Sequence, residues 1–382
     1  MNQTPRAMKK LKIVIVVSYT YPYIDGGLGV VAAKQAEYLA RLGHQVTLIS
    51  ANWPKTKSEF VYNQVNYIKL PAIRFFERFE IPVPLFLMDR RAIASIKAAD
   101  VVHAHDMAYP SSLQAALLAK LFRKPLILTQ HIGRVYYPSK IINLLESMVR
   151  MTLGRVILKL SDKVILINKH VIKALTVDRK KVVTILNGVD TEMFKPVNEG
   201  KKIVLRKKYN LPVDKQIVLF VGRLVKKKGY EELCKAKDQK YLIVIVGKGK
   251  AVNEKEPDND QVRFLGVVPH DVLREIYQLA DVFVLPSMSE GLPLTIQEAM
   301  ASGLPIITSK HPGFEDYLDS RWVKFISPNH QQIKKAILEV LENHSLKEQM
   351  SQYALQVSIN KNSWGKNVEK LLLVYQQAIF RN

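Results

Sequence analysis

The densest chemistry in the sequence lies in Ser289-Glu290-Gly291-Leu292-Pro293-Leu294-Thr295-Ile296-Gln297-Glu298-Ala299, where two carboxylates flank seven residues. The pattern places Glu290 ahead of a helix and Glu298 about one turn inside it. A carboxylate accepts hydrogen bonds from sugar hydroxyls, which would explain both acids. Acids at a helix start also favour the helix dipole with no ligand present, so the pair alone leaves both readings open. A second cluster, Gly222-Arg223-Leu224-Val225-Lys226-Lys227-Lys228-Gly229, follows an apolar run. Arginine offers phosphate a planar fork and lysine a mobile point charge. At the carboxyl end of a strand they would neutralise a diphosphate leaving group, the work a metal does elsewhere; the alternative is a solvated basic loop.

A third cluster, Gly26-Gly27-Leu28-Gly29, stands between the first apolar run and a helix that begins immediately after it. Glycines let backbone amides approach a ligand closely, and a helix N-terminus favours an anion. The spacing is not G-x-G-x-x-G, and the next strand ends Leu48-Ile49-Ser50 without the ribose-binding acid of an NAD site, which argues against a dehydrogenase.

Short apolar runs must position these clusters. In the first half they are Lys12–Val17, Gln45–Ile49, Val101–Ala104, Pro125–Thr129, Lys163–Ile167 and Val182–Ile185, with a helix over Val30–Leu42 ended by Gly43. After Asn187-Gly188-Val189-Asp190 and a polar stretch, the alternation restarts with Ile217–Val221, Tyr241–Val246, Val262–Leu265, Val282–Leu285, Pro305–Thr308 and Val323–Ile326. Helices fall at Pro269–Ala280, Leu294–Ala301 and Trp364–Ile379. Runs that are apolar on both faces belong to parallel sheets covered by helices, and such sheets bind ligands at the strands' carboxyl ends. The expected fold is α/β with two doubly wound parallel-sheet domains. Their bounds are 1–193 and 194–360, followed by a C-terminal helix within 361–382.

From Arg263 through Gly303 the order of motifs resembles glycosyltransferase family 4, whose members have the two-domain GT-B fold, two Rossmann-like domains facing across a cleft. Gly26–Gly29, His131, Asn187–Asp190, Arg223 and Lys228 fall in family order, so the resemblance covers nearly the whole chain. It implies a retaining glycosyltransferase that moves a hexose-type sugar from a nucleoside-diphosphate sugar to a hydroxyl acceptor, a lipid-linked or surface-polysaccharide precursor. The resemblance makes 1–193 the acceptor-side domain and 194–360 the nucleotide-sugar-binding domain, with the C-terminal helix, 361–382, packing back on the first. In the family's pattern Gly26, Gly27 and Gly29 contact the donor phosphates, and Arg223 and Lys228 bind the diphosphate. Glu290 holds donor-sugar hydroxyls, Glu298 the ribose, Leu294 gives a backbone amide, and the backbone at Val268 meets the base. His131 matches a histidine near the reacting centre, with the buried hydrogen-bonded histidine as the alternative. The leaving phosphate takes the acceptor's proton, so the resemblance calls for no metal, no cofactor and no side-chain nucleophile. Two departures touch the donor side: His311-Pro312-Gly313-Phe314-Glu315 stands where the family has G-G-x-x-E, and Ser320-Arg321-Trp322 replaces a common glycine. The helix between Gly229 and Tyr241 is also unusually short.

His103, His105 and Asp106 end a strand and are placed near the acceptor; as a metal cluster they lack a further ligand. The formal charge of +23 divides as +16 over residues 1–196 and +7 over the remainder, and a basic half attracts an anionic partner. Apolar and basic residues coincide over Ile73–Lys97 and Arg134–Lys159, the composition of helices that dock on anionic lipid. With no apolar stretch long enough to cross a bilayer and a lone Cys234, a cytoplasmic protein is expected, peripheral on the inner face of the membrane. Three rivals stand beside this reading. One is a sugar-nucleotide epimerase or other non-transferase enzyme on the same fold. Another is a nucleic-acid binder, for which no zinc pattern, helix-turn-helix spacing or aromatic RNA signature is found. The third is a non-catalytic relative, against which both glutamates and both cations argue.

Overall fold

The computed structural model describes residues 10–20, 27–53, 55–73, 83–86, 89–131, 140–249, 260–288, 290, 293–311, 314 and 317–380, without the side chains of 140–142, 145–146 and 173–174. The chain forms two compact units, Met1–Asn187 with Asn367–Asn382, and Gly188–Lys366. The division falls just ahead of the boundary read from the sequence.

The first unit contains β1 (Lys12–Val16), α1 (Gly27–Arg41), β2 (Gln45–Ala51), β3 (Glu59–Tyr62), β4 (Val65–Leu70), the short pair β5 (Ala72–Ile73) and β6 (Val83–Pro84), α2 (Arg90–Ala98), β7 (Val101–His105), α3 (Pro110–Leu121), β8 (Leu126–Gln130), α4 (Lys140–Val149), α5 (Arg155–Leu160), β9 (Lys163–Leu166) and β10 (Val182–Thr184). Eight strands form one sheet in the order β10-β9-β8-β7-β1-β2-β4-β3. Its ladders are parallel except at the edge, where β3 runs antiparallel to β4. That hairpin departs from the all-parallel expectation. Its turn places Asn63 and Gln64 at φ 48° and 64°, the geometry that lets a two-residue loop match strand twist.

Alternate residues of β1 enter different cores, as a period of two requires. Ile13 and Ile15 pack with Ala32, Ala36 and Leu39 of α1 and with Leu371 and Tyr375 near the C-terminus. Val14 and Val16 pack with Ala92 and Ile96 of α2, Ala115 of α3 and Ile157 of α5. Helix α1 begins at Gly27, three residues before the sequence reading, so Gly27 and Gly29 lie in its first turn. Gly43 ends the segment at φ 87°, its N–H donating to Ala40 O at 2.8 Å, as a C′ glycine does.

The second unit contains α6 (Glu199–Lys208), β11 (Gln216–Val221), α7 (Tyr230–Lys235), β12 (Tyr241–Val246), β13 (Val262–Gly266), α8 (His270–Leu279), β14 (Val282–Leu285), α9 (Leu294–Ala301), β15 (Ile306–Ser309), β16 (Lys324–Ile326), α10 (His330–Glu342) and α11 (His344–Lys361). Its six strands are all parallel, in the order β13-β12-β11-β14-β15-β16. The final helix, α12 (Trp364–Ile379), belongs mostly to the first unit, burying Val368, Leu371, Leu372 and Tyr375. One buried carboxylate organises the amino end of the second sheet. Asp281 accepts from Arg206 Nη2, Lys202 Nζ and the Ile217 amide, each at 2.6 Å.

Candidate functional site

In each sheet the first strand has neighbours on both sides that are reached by opposite connections. This is the switch point where a crevice opens at the carboxyl ends. In the second unit the switch lies between β11 and β14. The segment after β11 carries Arg223 and Lys228, and the segment after β14 carries Glu290 and leads to α9 with Leu294 and Glu298. After β13, Gly266 turns the chain at φ 65° and half-buried Val268 precedes α8. The topology thus brings Arg223, Lys228, Val268, Glu290, Leu294 and Glu298 to one edge of one sheet.

Two local constraints hold the first two segments together. The Met288 amide donates to Lys227 O at 2.7 Å. Gly229 follows at φ 71°, where a Cβ would stand 2.1 Å from Pro286 O, so only glycine fits. Lys228 Nζ donates to Glu290 Oε1, with side chains 15% and 11% exposed, so the ion pair is shielded yet reachable. Arg223 is exposed and has no carboxylate partner among the described residues. The Lys227 ammonium is pushed below its ordinary value, first by desolvation and then by the charge of Arg223, with Glu290 opposing. Cation crowding of this kind is relieved by a bound anion. The amino end of α9 has Pro293 at its cap and no capping side chain, leaving the amides of its first turn without that partner.

Glu298 is 8% exposed. Tyr277 Oη donates to its Oε2 at 2.9 Å, and His270 Nε2 lies 3.5 Å from its Oε1. Phe194 packs edge-on against both rings, at 5.3 Å from His270 and 5.6 Å from Tyr277. Burial, then the Glu298 charge, pushes the Tyr277 phenol well above its ordinary value and keeps it a donor. Sequence reasoning missed Tyr277 and His270. The available signal was their seven-residue spacing, which places both on one face of α8. His311, from the departing His-Pro-Gly segment, donates from Nε2 to Ser287 O at 2.7 Å and ties the loop after β15 to that after β14.

In the first unit the switch lies between β1 and β7. Of the glycine cluster, Gly26 lies outside the described residues; Gly27 is exposed and Gly29 buried at the start of α1. His103 and His105 face the same side of β7, and the register His105↔Thr129 brings His131 beside them from the end of β8. His103 shares hydrogen bonds of 2.7 Å with Tyr375 Oη and with Thr129 Oγ1. His105 Nδ1 and His131 Nε2 are 3.0 Å apart. Burial holds all three imidazoles neutral: it lowers His103 to about 3, His131 to about 4 and His105 well below its ordinary value. Asp106, 2% exposed and at φ 66°, accepts from Gln130 Nε2 at 3.1 Å and caps the Ala108 amide at 3.1 Å. Tyr375 and Gln130 were not singled out from the sequence. No group of three metal-ligating side chains is assembled among the described residues.

Comparison with known proteins gives the class of enzyme. The chain matches the glycosyl transferases group 1 family over residues 201–357 and glycosyltransferase family 4 over residues 25–193. A Bacillus subtilis glycosyltransferase named for teichuronic acid biosynthesis, TuaC, is 28% identical over 392 residues, covering 96% of this chain and 98% of its own. The fold is that of sucrose-phosphate synthase from Thermosynechococcus elongatus, with a TM-score of 0.76 at 20% identity over 97% of this chain and 99% of that one. Anabaena HepE, in its complex with UDP-glucose, superposes with a TM-score of 0.73 at 16% identity over 96% of this chain and 100% of its own. The chain belongs to the family 4 glycosyltransferases, and the fold is GT-B.

Proposed function

We propose that this enzyme is a retaining hexosyltransferase whose second unit holds a nucleoside-diphosphate sugar. The observation that carries the reading is the shielded Lys228–Glu290 pair beside exposed Arg223, which has no carboxylate partner among the described residues, on segments that flank a sheet switch point. Arg223 and Lys228 take the diphosphate, and Lys228 divides its donors between phosphate and Glu290. Glu290 accepts from donor-sugar hydroxyls. Glu298, held by Tyr277, keeps its other oxygen for the ribose, while Leu294 offers an amide and Val268 borders the base; the resemblance to the family assigns Gly26, Gly27 and Gly29 to the donor phosphates. In the reaction the bond from the anomeric carbon to the β-phosphate oxygen breaks, and a bond to the acceptor oxygen forms on the same face. The acceptor's proton passes to the leaving phosphate, and the cations offset the growing charge. His131 orients the sugar, and His105 and Asp106 lie on the acceptor side. No metal or cofactor enters this scheme.

The complex of HepE with UDP-glucose supports a nucleotide-sugar donor, and the name of the TuaC relative supports a surface-polysaccharide acceptor. Incubation with nucleotide sugars and candidate hydroxyl acceptors tests the scheme. Nucleoside diphosphate released in the presence of acceptor supports it, whereas sugar epimerised with the diphosphate still attached would replace it with the epimerase reading.

The acceptor-side unit offers an apolar stripe. Leu144, Met148, Met151 and Val156, on the run from α4 through a π-turn to α5, are 62%, 54%, 57% and 44% exposed. Exposed Arg155 and Lys159 accompany them. The basic segments at 74–82 and 134–139 lie outside the described residues. No described helix is long and apolar enough to cross a membrane. A stripe of this kind fits peripheral binding to an anionic leaflet, each well-placed cation contributing about 1 kcal/mol. The protein is expected to co-sediment with anionic phospholipid vesicles at low salt, and a Met148→Ser/Met151→Ser variant to bind less. Absence of binding at low salt removes this surface from the account.

A further inference from the structure

We infer that His105 is a positioning residue that fixes His131 in its Nδ1–H tautomer and so presents an N–H donor to a substrate hydroxyl. The inference rests on the proposed transferase reading only in naming the hydroxyl as what His131 faces.

His105 is fully buried, with its ring between His103 at 4.4 Å and His131 at 5.2 Å, nearly parallel to the latter at 23°. One proton must lie between His105 Nδ1 and His131 Nε2, which are 3.0 Å apart. Its owner follows from the other nitrogen of His105, because Nε2 is buried and has no hydrogen-bond partner among the described residues. Were His131 the donor, neutral His105 would carry its proton on Nε2, a buried N–H with nothing to receive it. With His105 the donor, Nε2 is a bare lone pair. An orphaned buried acceptor is tolerated more often than an orphaned buried N–H. His105 Nδ1–H therefore donates to His131 Nε2. His131, also neutral, then carries its proton on Nδ1, which has no partner among the described residues.

A half-turn of the His105 ring would set carbon against His131 Nε2 and lose the bond. His103, held by Tyr375 Oη and Thr129 Oγ1, lies against the other side of the ring at a tilt of 34°. Free histidine prefers the Nε2–H form, so the environment holds His131 in the less favoured tautomer, as supporting groups do for functional imidazoles.

The experiment is a long-range ¹H–¹⁵N correlation spectrum of histidine-labelled protein at neutral pH, with His131 assigned from a His131→Gln sample. The wild type is expected to show His131 protonated at Nδ1. In His105→Ala, which removes the donor and leaves room beside His131 Nε2 for a water that can accept from it, His131 gains the Nε2–H form; turnover falls roughly 10- to 100-fold, mainly in kcat. His105→Asn, whose amide occupies a place close to Nδ1, restores the Nδ1–H form and much of the turnover, and serves also if the alanine variant fails to fold. Nε2–H in the wild type, or an unchanged tautomer in His105→Ala, overturns the inference. A tautomer that responds as described with turnover unaffected upholds the positioning of His131 and overturns its place at the substrate.

Discussion

Replacing Glu290 by alanine is expected to lower kcat/KM for the nucleotide sugar about a thousandfold while the protein still folds. The side chain stands outside all three apolar cores, and its ion pair with Lys228 joins two loop segments rather than core elements. In the proposed site its removal would deprive the sugar of a carboxylate acceptor and free Lys228 to turn wholly toward phosphate. Donor affinity should therefore change less than kcat, because the lost contacts are those that align the sugar for attack. Glu290→Gln, which keeps shape and hydrogen-bonding oxygen but not charge, should retain part of the rate. Steady-state kinetics with thermal denaturation of both variants check this. Wild-type turnover in Glu290→Ala would remove the residue from the site.

Asp281→Ala should instead act on stability, destabilising the second unit by about 3–5 kcal/mol. Asp281 is 4% exposed and is bonded by Arg206, Lys202 and the Ile217 amide, with Lys347 Nζ at 3.4 Å. Arg206, 5% exposed, also donates to Leu279 O and Lys215 O, so it stays buried and charged when its carboxylate is gone. For a unit of this size the midpoint should fall roughly 10 °C, measured by calorimetry. Removing the exposed pair Lys240–Glu342 should leave the midpoint unchanged. A small change in Asp281→Ala would show that the unit relaxes around the unpaired cations.

The same groups set the acid limit of the fold. Burial alone would raise the Asp281 carboxyl, but Lys202, Lys347 and Arg206 outweigh it and leave it below its ordinary 3.8. A depressed folded-state value means that its stabilisation is complete above 3.8 and is lost as pH falls through the lower folded value. The buried histidines act earlier. Their folded values of about 3 and 4, for His103 and His131, lie below the ordinary 6.5, so the unfolded chain takes up protons first. Stability should begin to decline as pH drops below 6.5.

Strands that are apolar on both faces were legible because helices cover both sides of each sheet, and the period shows in single residues such as Val14 and Ile15. The β3–β4 hairpin was not. Its turn uses Asn63-Gln64 in place of Asn-Gly, and β4 contains Lys69, a residue that reads as exposed. Lys69 is in fact 2% exposed, donates to Thr20 O at 2.9 Å, and is lowered to about 8 by desolvation. The start of α1 was misplaced because glycines have low helix propensity, whereas here they open the helix. The cations and acids of the second unit were readable since each cluster is local in sequence. Tyr277 beneath Glu298 and Tyr375 against His103 were not, because those pairs are separated by 21 and 272 residues and meet only through tertiary packing.

The measurement that bears most directly on the central claim is the anomeric configuration of the product, followed by ¹H NMR as nucleoside diphosphate is released. The account predicts a glycoside with the donor's configuration, formed on the face the diphosphate leaves. A product of inverted configuration, or release of diphosphate undiminished after loss of both Arg223 and Lys228, would contradict it.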